Sequence, residues 1–229
     1  MNKYLFVVAH PDDEILGAGA TIAMLAEKGA DVAVCILSQQ CNTRYDEVLV
    51  NSMHNSHAVV GIKKTYIGSF QCLKFKDEPH QEMVQFIENA MRDSGANIIF
   101  THHPTDLNND HYIASICCQE AARLSMRGIG ANVKKLKGLY YMEIQSSTDW
   151  CFNPAWGSFT PTVFIPASEK HLQKKIEALE VYDNVIRPLP HPRAVESIKS
   201  LATIRGTQCG CIGAEAFQCG FSLLTGAEL

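Results

Sequence analysis

Four short apolar runs in the first 127 residues, each leading towards a segment of helical period, constrain this chain more than any other feature. Lys3–Ala9 (KYLFVVA) is continuously apolar after its first residue and rich in β-branched and aromatic side chains, as a strand buried on both faces reads. Asp31–Ser38 repeats the pattern, Thr65–Gly68 is a shorter version and Asn97–Thr101 (NIIFT) a fourth. Between and after them, apolar residues recur at helical spacing over Glu14–Lys28, Tyr45–Val60, Pro79–Arg92 and His111–Arg127, and Gly29 stands where the first helix must stop. Further on, strands are expected at Gly138–Gln145, Thr162–Ile165 and Ala214–Leu224, with helices at Glu169–Asp183 and Arg193–Arg205. Alternating strands and helices demand right-handed crossovers, and these build a mainly parallel sheet covered on both faces. The expectation is an α/β, Rossmann-like single domain over residues 1–229. No glycine fingerprint follows the first strand, so dinucleotide binding loses its main support.

Composition narrows the function. The chain of 229 residues is 46% hydrophobic and 19% charged, with net charge −4, which excludes disordered, collagenous and coiled-coil classes. No basic excess marks a nucleic-acid partner, and no window reaches the ~20 apolar residues of a membrane span. Nine cysteines without a recognisable export signal point to a reduced, cytoplasmic setting. Cys117-Cys118 and Cys209-Gly-Cys211 lack the doubled spacing of a structural zinc site and read as ordinary thiols.

The chemistry gathers in two loops. His10-Pro11-Asp12-Asp13-Glu14 follows the first strand, and Thr101–His111 (THHPTDLNNDH) follows the Asn97–Thr101 strand. Ligands of open α/β sheets sit beyond the carboxyl ends of the strands, so neighbouring strands would open both loops into one crevice. Imidazole and carboxylate suit Zn²⁺, and a catalytic zinc keeps three protein ligands. His10 and Asp13 lie three residues apart across a strand-to-helix turn, and His111 completes such a set. Asp12 is then a second carboxylate beside a ligand, available to take a proton from water. Any one of Asp12, Asp13 or Asp110 alone is accounted for by helix capping and the helix dipole. Two carboxylates and a histidine after one buried strand, with an Asp-His pair after another, exceed what capping needs.

These residues carry a resemblance. The run AHPDDE with the later Asp110-His111 resembles the PIG-L/LmbE-like superfamily of zinc-dependent N-deacetylases. Leu107–His111 looks like the second motif of one bacterial branch, and Pro190-His191-Pro192-Arg193, Arg205-Gly206 and Ala214-Glu215-Ala216-Phe217 like its C-terminal signature. The resemblance implies His10, Asp13 and His111 as ligands of one Zn²⁺ per chain and Asp12 as general base. It implies removal of an acetyl group from an N-acetylated amino sugar of N-acetylglucosamine type, or from its conjugate. The same metal chemistry on a thiol-conjugate or other carboxamide, and a non-catalytic metal- or sugar-binding module, are the alternatives. Many relatives carry His-x-Asp-His in the second motif; here Asn108 takes the first place. An amide donates a hydrogen bond to an oxyanion but supplies no proton, so the acid role falls to Asp12 or to His102, His103 or His191.

Lesser expectations complete the reading. Asp106 orients a ligand histidine or caps its loop, and Asp110 shares those alternatives. Glu14 is a helix-end charge that steadies the motif. Arg44, in the Gln39–Arg44 segment bordering the crevice, meets an anionic substrate group. Trp150, Phe152, Trp156 and Phe159 form a lid or stack on a sugar, or else serve core or subunit interface. The partner is a small molecule, and the resemblance suggests a homo-oligomer.

Overall fold

The computed structural model describes residues 2–38, 46–127, 133–152 and 157–224, the side chains of Asp46 and Glu47 excepted; Arg44, the rest of 39–45 and Trp156 lie outside the described residues. Seven strands form one sheet: β1 (Lys3–Val8), β2 (Asp31–Ile36), β3 (Lys64–Ile67), β4 (Ile98–His102), β5 (Gly138–Met142), β6 (Val163–Pro166) and β7 (Ala214–Ser222). Their spatial order is β3-β2-β1-β4-β5-β7-β6. The first five run parallel, and β7 pairs antiparallel with both β5 and β6. The expected α/β sheet is present, and each expected strand and helix is found with ends displaced by a few residues.

Alternate side chains of each strand feed two cores. Phe6, Val8, Val32, Val34 and Ile36 point to one face, beneath α1 (Asp13–Glu27), α2 (Asp46–Val60), α5 (Glu169–Glu180) and α6 (Val195–Gln208). Leu5, Val7, Ala33, Cys35 and Leu37 point to the other, beneath α3 (His80–Ser94) and α4 (Asn109–Ala122). Burial on both faces explains why these strands read as unbroken apolar runs.

α1 is broken at Ala18, whose φ of −150° and ψ of 17° are not helical. A break leaves carbonyls without partners on one side and amides on the other. Here Lys175 Nζ donates to the Leu16 carbonyl (2.7 Å), and Glu215 accepts from the amides of Ala20 (3.2 Å) and Thr21 (2.7 Å). Lys175 and Glu215 bond each other at 2.7 Å, both nearly buried. The cation thus meets a helix C-terminus and the anion an N-terminus, as helix dipoles favour. The turn from Asp13 to Gly17 becomes a separate short piece.

Sheet order reverses direction between β1 and β4. These strands are neighbours in parallel register, Tyr4 beside Ile98 and Val7 beside Thr101, so the two polar loops leave the sheet side by side.

Candidate active site

Both loops are built to fix side chains. Asp12, the residue of the β1–α1 corner immediately before α1, has φ 107°, a left-handed conformation that costs a non-glycine residue on the order of 1–3 kcal/mol. Asp13 folds back so that its carboxylate accepts the His10 amide (2.9 Å). In the second loop Asp106 accepts the Asn108 amide, and Asn108 Oδ1 accepts the Asp110 amide, both at 2.9 Å, which starts α4. α4 then presents Asp110 and His111 from its first turn.

The side chains converge. Asp13 lies 3.4 Å from His10 Nδ1 and 3.3 Å from His111 Nε2. The far nitrogen of each ring meets another carboxylate: His10 Nε2 reaches Asp110 at 3.0 Å, and His111 Nδ1 reaches Asp106 at 3.2 Å. Those carboxylates hold a proton on the far nitrogen and turn the near nitrogen's lone pair inwards, as carboxylate–histidine–metal arrangements do. His10, Asp13 and His111 offer ligand atoms within 4.8 Å of one another. A tetrahedral zinc with bonds of ~2.0 Å needs donors about 3.3 Å apart, so the donor set fits such an ion.

Electrostatics agree with that fit. Burial opposes charge on Asp13, yet His111 and His102 nearby and hydrogen bonds from His10 and His111 hold its carboxyl well below the usual range. Asp106 and Asp110 are likewise held low against burial, chiefly by hydrogen bonds from His111 and His10 respectively. Burial works against protonating His10, but hydrogen bonds from Asp110 and Asp13 raise it well above its ordinary value. His111 rises to about 9 against burial through the charge of Asp13. The pocket therefore stabilises positive charge where the three ligand atoms meet.

Asp12 stands apart from the donor set. Burial, then the charge of Asp13, raises its carboxyl to about 7, and its side chain is 14% exposed, 3.5 Å from Arg193 Nη1. Arg193 is held by Ser146 Oγ (2.9 Å), and Ser146 itself has φ 68°. Two neighbours on the same loop, Ser147 and Thr148, donate to Asp106, Thr148 at 2.7 Å. One loop after β5 thus braces both sides of the site.

The remaining expected residues fall as follows. His102 stacks on His111 with ring centroids 4.0 Å apart, and its Nε2 accepts the Ala9 amide at 2.9 Å. Burial and the His111 charge lower it to about 3, so it stays neutral. His103 bonds Gln218 and Thr105. His191 accepts the Arg193 amide and packs edge-on against Trp150; Arg193, two residues on, reaches the site instead. Glu14 does more than the expected helix-end charge, being fully buried and bonded to His57 of α2 at 2.9 Å. Phe159 packs edge-on against His103, while Phe152 is 80% exposed. Sequence reasoning missed His57, Ser147 and Thr148. None sits in a motif with site chemistry, and only the folded sheet brings them near.

Residues 5–122 match the family described as PIG-L: GlcNAc-PI de-N-acetylase, and that span carries both loops. The chain belongs to this family. "Uncharacterized deacetylase YaiS" of Escherichia coli (strain K12) is 24% identical over 183 residues, 77% of this chain and 88% of that protein. Among solved structures, N,N'-diacetylchitobiose deacetylase from Pyrococcus horikoshii is 16% identical with a TM-score of 0.74, covering 95% of this chain and 83% of the other. GalB, the 4-carboxy-2-hydroxymuconate hydratase from Pseudomonas putida KT2440, is 19% identical with a TM-score of 0.77, covering 98% of each chain. The PIG-L fold therefore hosts more than one reaction, and function must be argued from the site. Arg193 and the Ser146–Thr148 loop lie beyond the PIG-L match.

Proposed function

We propose that this PIG-L protein is a metal-dependent N-deacetylase acting on an acetamido sugar of N-acetylglucosamine type or its conjugate. The observation that carries the reading is the separation of Asp12 from the donor set. Three side chains suffice to hold an ion, and a pure binding module has no use for a fourth, unliganded group held at φ 107° beside them. His10, Asp13 and His111 would hold one Zn²⁺. When bound, the ion supplies Lewis acidity that polarises the amide carbonyl and lowers the pKa of water towards about 7.

The chain's own residues supply the rest. Asp12 takes a proton from the attacking water, its carboxyl raised towards the working pH of a general base. Asn108 spends Oδ1 on the α4 cap, which leaves its amide NH₂ to donate towards the oxyanion. His102 is held neutral by its burial and His103 is bonded to Gln218 and Thr105, so Asp12 returns its proton to the departing amine. Arg193 holds Asp12 in line. The substrate is a small molecule, and among the described residues no helix is long and apolar enough to cross a membrane.

The test is acid release from N-acetylglucosamine and its glycosides, run beside the same amines carrying larger acyl groups. Acetate freed by the wild type and not by Asp12→Asn supports the proposal. Release of larger acids alone makes the protein a different amidase. Metal binding with no acid released from any compound makes it a binding module.

A further inference from the structure

His10 lies between two sets of potential ligands. Its Nδ1 faces Asp13 and its Nε2 faces Asp110, and one ligand atom from each of His10, Cys72 and Asp110 lies within 4.8 Å of the others. Cys72 arrives there by construction. Asp110 Oδ2 accepts the Leu73 amide at 2.5 Å and Asp110 Oδ1 the Phe75 amide at 3.2 Å, so the segment after β3 is clasped against the site. Leu73 carries φ 64° to make that contact, a left-handed conformation for a branched side chain that is 74% exposed. Strain at a residue with nothing to bury is maintained only where the surroundings impose it. Here its effect is to hold the neighbouring Cys72 within reach of His10 and Asp110.

We propose that His10, Cys72 and Asp110 form an outer binding site for a thiophilic divalent cation, Zn²⁺ or Cd²⁺, whose occupancy inhibits the enzyme. Sulfur, imidazole and carboxylate together suit such borderline or soft ions and disfavour Mg²⁺ and Ca²⁺. Three protein donors leave a fourth position to water, and the partly exposed Cys72 lets the ion enter from solvent. Binding displaces the thiol proton and the proton between His10 Nε2 and Asp110, both of which pass to water. Inhibition follows because His10 loses the carboxylate partner that orients its ring, and a second positive charge arrives across one imidazole from the inner ligand set. Loss of such a partner typically costs 10- to 100-fold in metal affinity or activity. The inhibitory half rests on the proposed role of His10; the binding half does not.

The experiment titrates the metal-loaded protein with Cd²⁺, following ultraviolet thiolate-to-cadmium absorption, the bound metal per chain and turnover. Wild type, Cys72→Ser and the double variant Cys209→Ser/Cys219→Ser are compared, the last as a control for the exposed thiols. Wild type and the double variant should bind one further equivalent, gain the absorption band and lose activity about 10- to 100-fold. Cys72→Ser should show none of the three. A second equivalent and band that persist in Cys72→Ser, or fail to appear in the wild type, overturn the outer site. A band without inhibition overturns its control of turnover. Absorption and stoichiometry need no substrate, so they stand or fall apart from the deacetylase reading.

Discussion

Asp12 combines three properties that make it the most informative residue to change. It has a left-handed backbone, a raised carboxyl and an arginine partner. Asparagine tolerates positive φ better than most residues, so Asp12→Asn preserves the corner while deleting the base. Turnover should fall about 10²–10⁴-fold with metal content unchanged; wild-type turnover would move the base elsewhere. Asn108 separates two roles. Asn108→Ala removes the α4 cap, for about 1 kcal/mol, and should lower kcat without moving the pH optimum. Asn108→His introduces a group titrating around pH 6.5 and should add a limb to the pH–rate profile. If both variants keep the wild-type kcat and profile, Asn108 does not face the reacting amide. Asp106 acts through His111, so Asp106→Asn should weaken metal binding about 10- to 100-fold, read by competition with a chelator. Unchanged affinity would reduce Asp106 to a loop cap.

At the scale of elements, the break in α1 decides how the site is presented. Asp13 and Glu14 ride on one short turn, tethered in front by His10 and behind by Lys175. Removing one partner of a buried ion pair typically costs 3–5 kcal/mol. Lys175→Met should lower stability by about that amount in urea unfolding and weaken metal binding, because the turn loses its rear tether. A loss below about 1 kcal/mol, the scale of a surface pair, would show that the turn holds itself. None of this was legible in the sequence. Leu16-Gly17-Ala18-Gly19-Ala20 keeps a helical spacing of apolar residues, and the groups that satisfy the break come from α5 and β7. The C-terminal motifs were visible as a signature but not as structure. Arg205 forms a fork onto Glu143, a Cβ on Gly206 would lie 2.6 Å from Gly213, and Glu215 serves α1. Only Arg193 among them reaches the site.

For the whole molecule, strand burial on both faces made the sheet readable, because each strand became a continuous apolar run. Polar loops stand out against those runs, and that contrast singles out His10, Asp12, Asp13 and His111 as candidates in the sequence alone. Strand order is not encoded locally, so the adjacency of β1 and β4 and the antiparallel β7 came from the structure. The same holds for the carboxylates behind the histidines, the brace after β5 and the His57–Glu14 pair, all contacts across long sequence separations. The central claim is that one ion is held by side chains from both loops at once. It is tested most directly by the metal content of purified wild type, His10→Ala and His111→Ala, with Asp12→Asn alongside. About one zinc per chain is expected in the wild type and in Asp12→Asn, as for a three-ligand catalytic site, and little in either histidine variant. Full metal content in both histidine variants would contradict the proposed site.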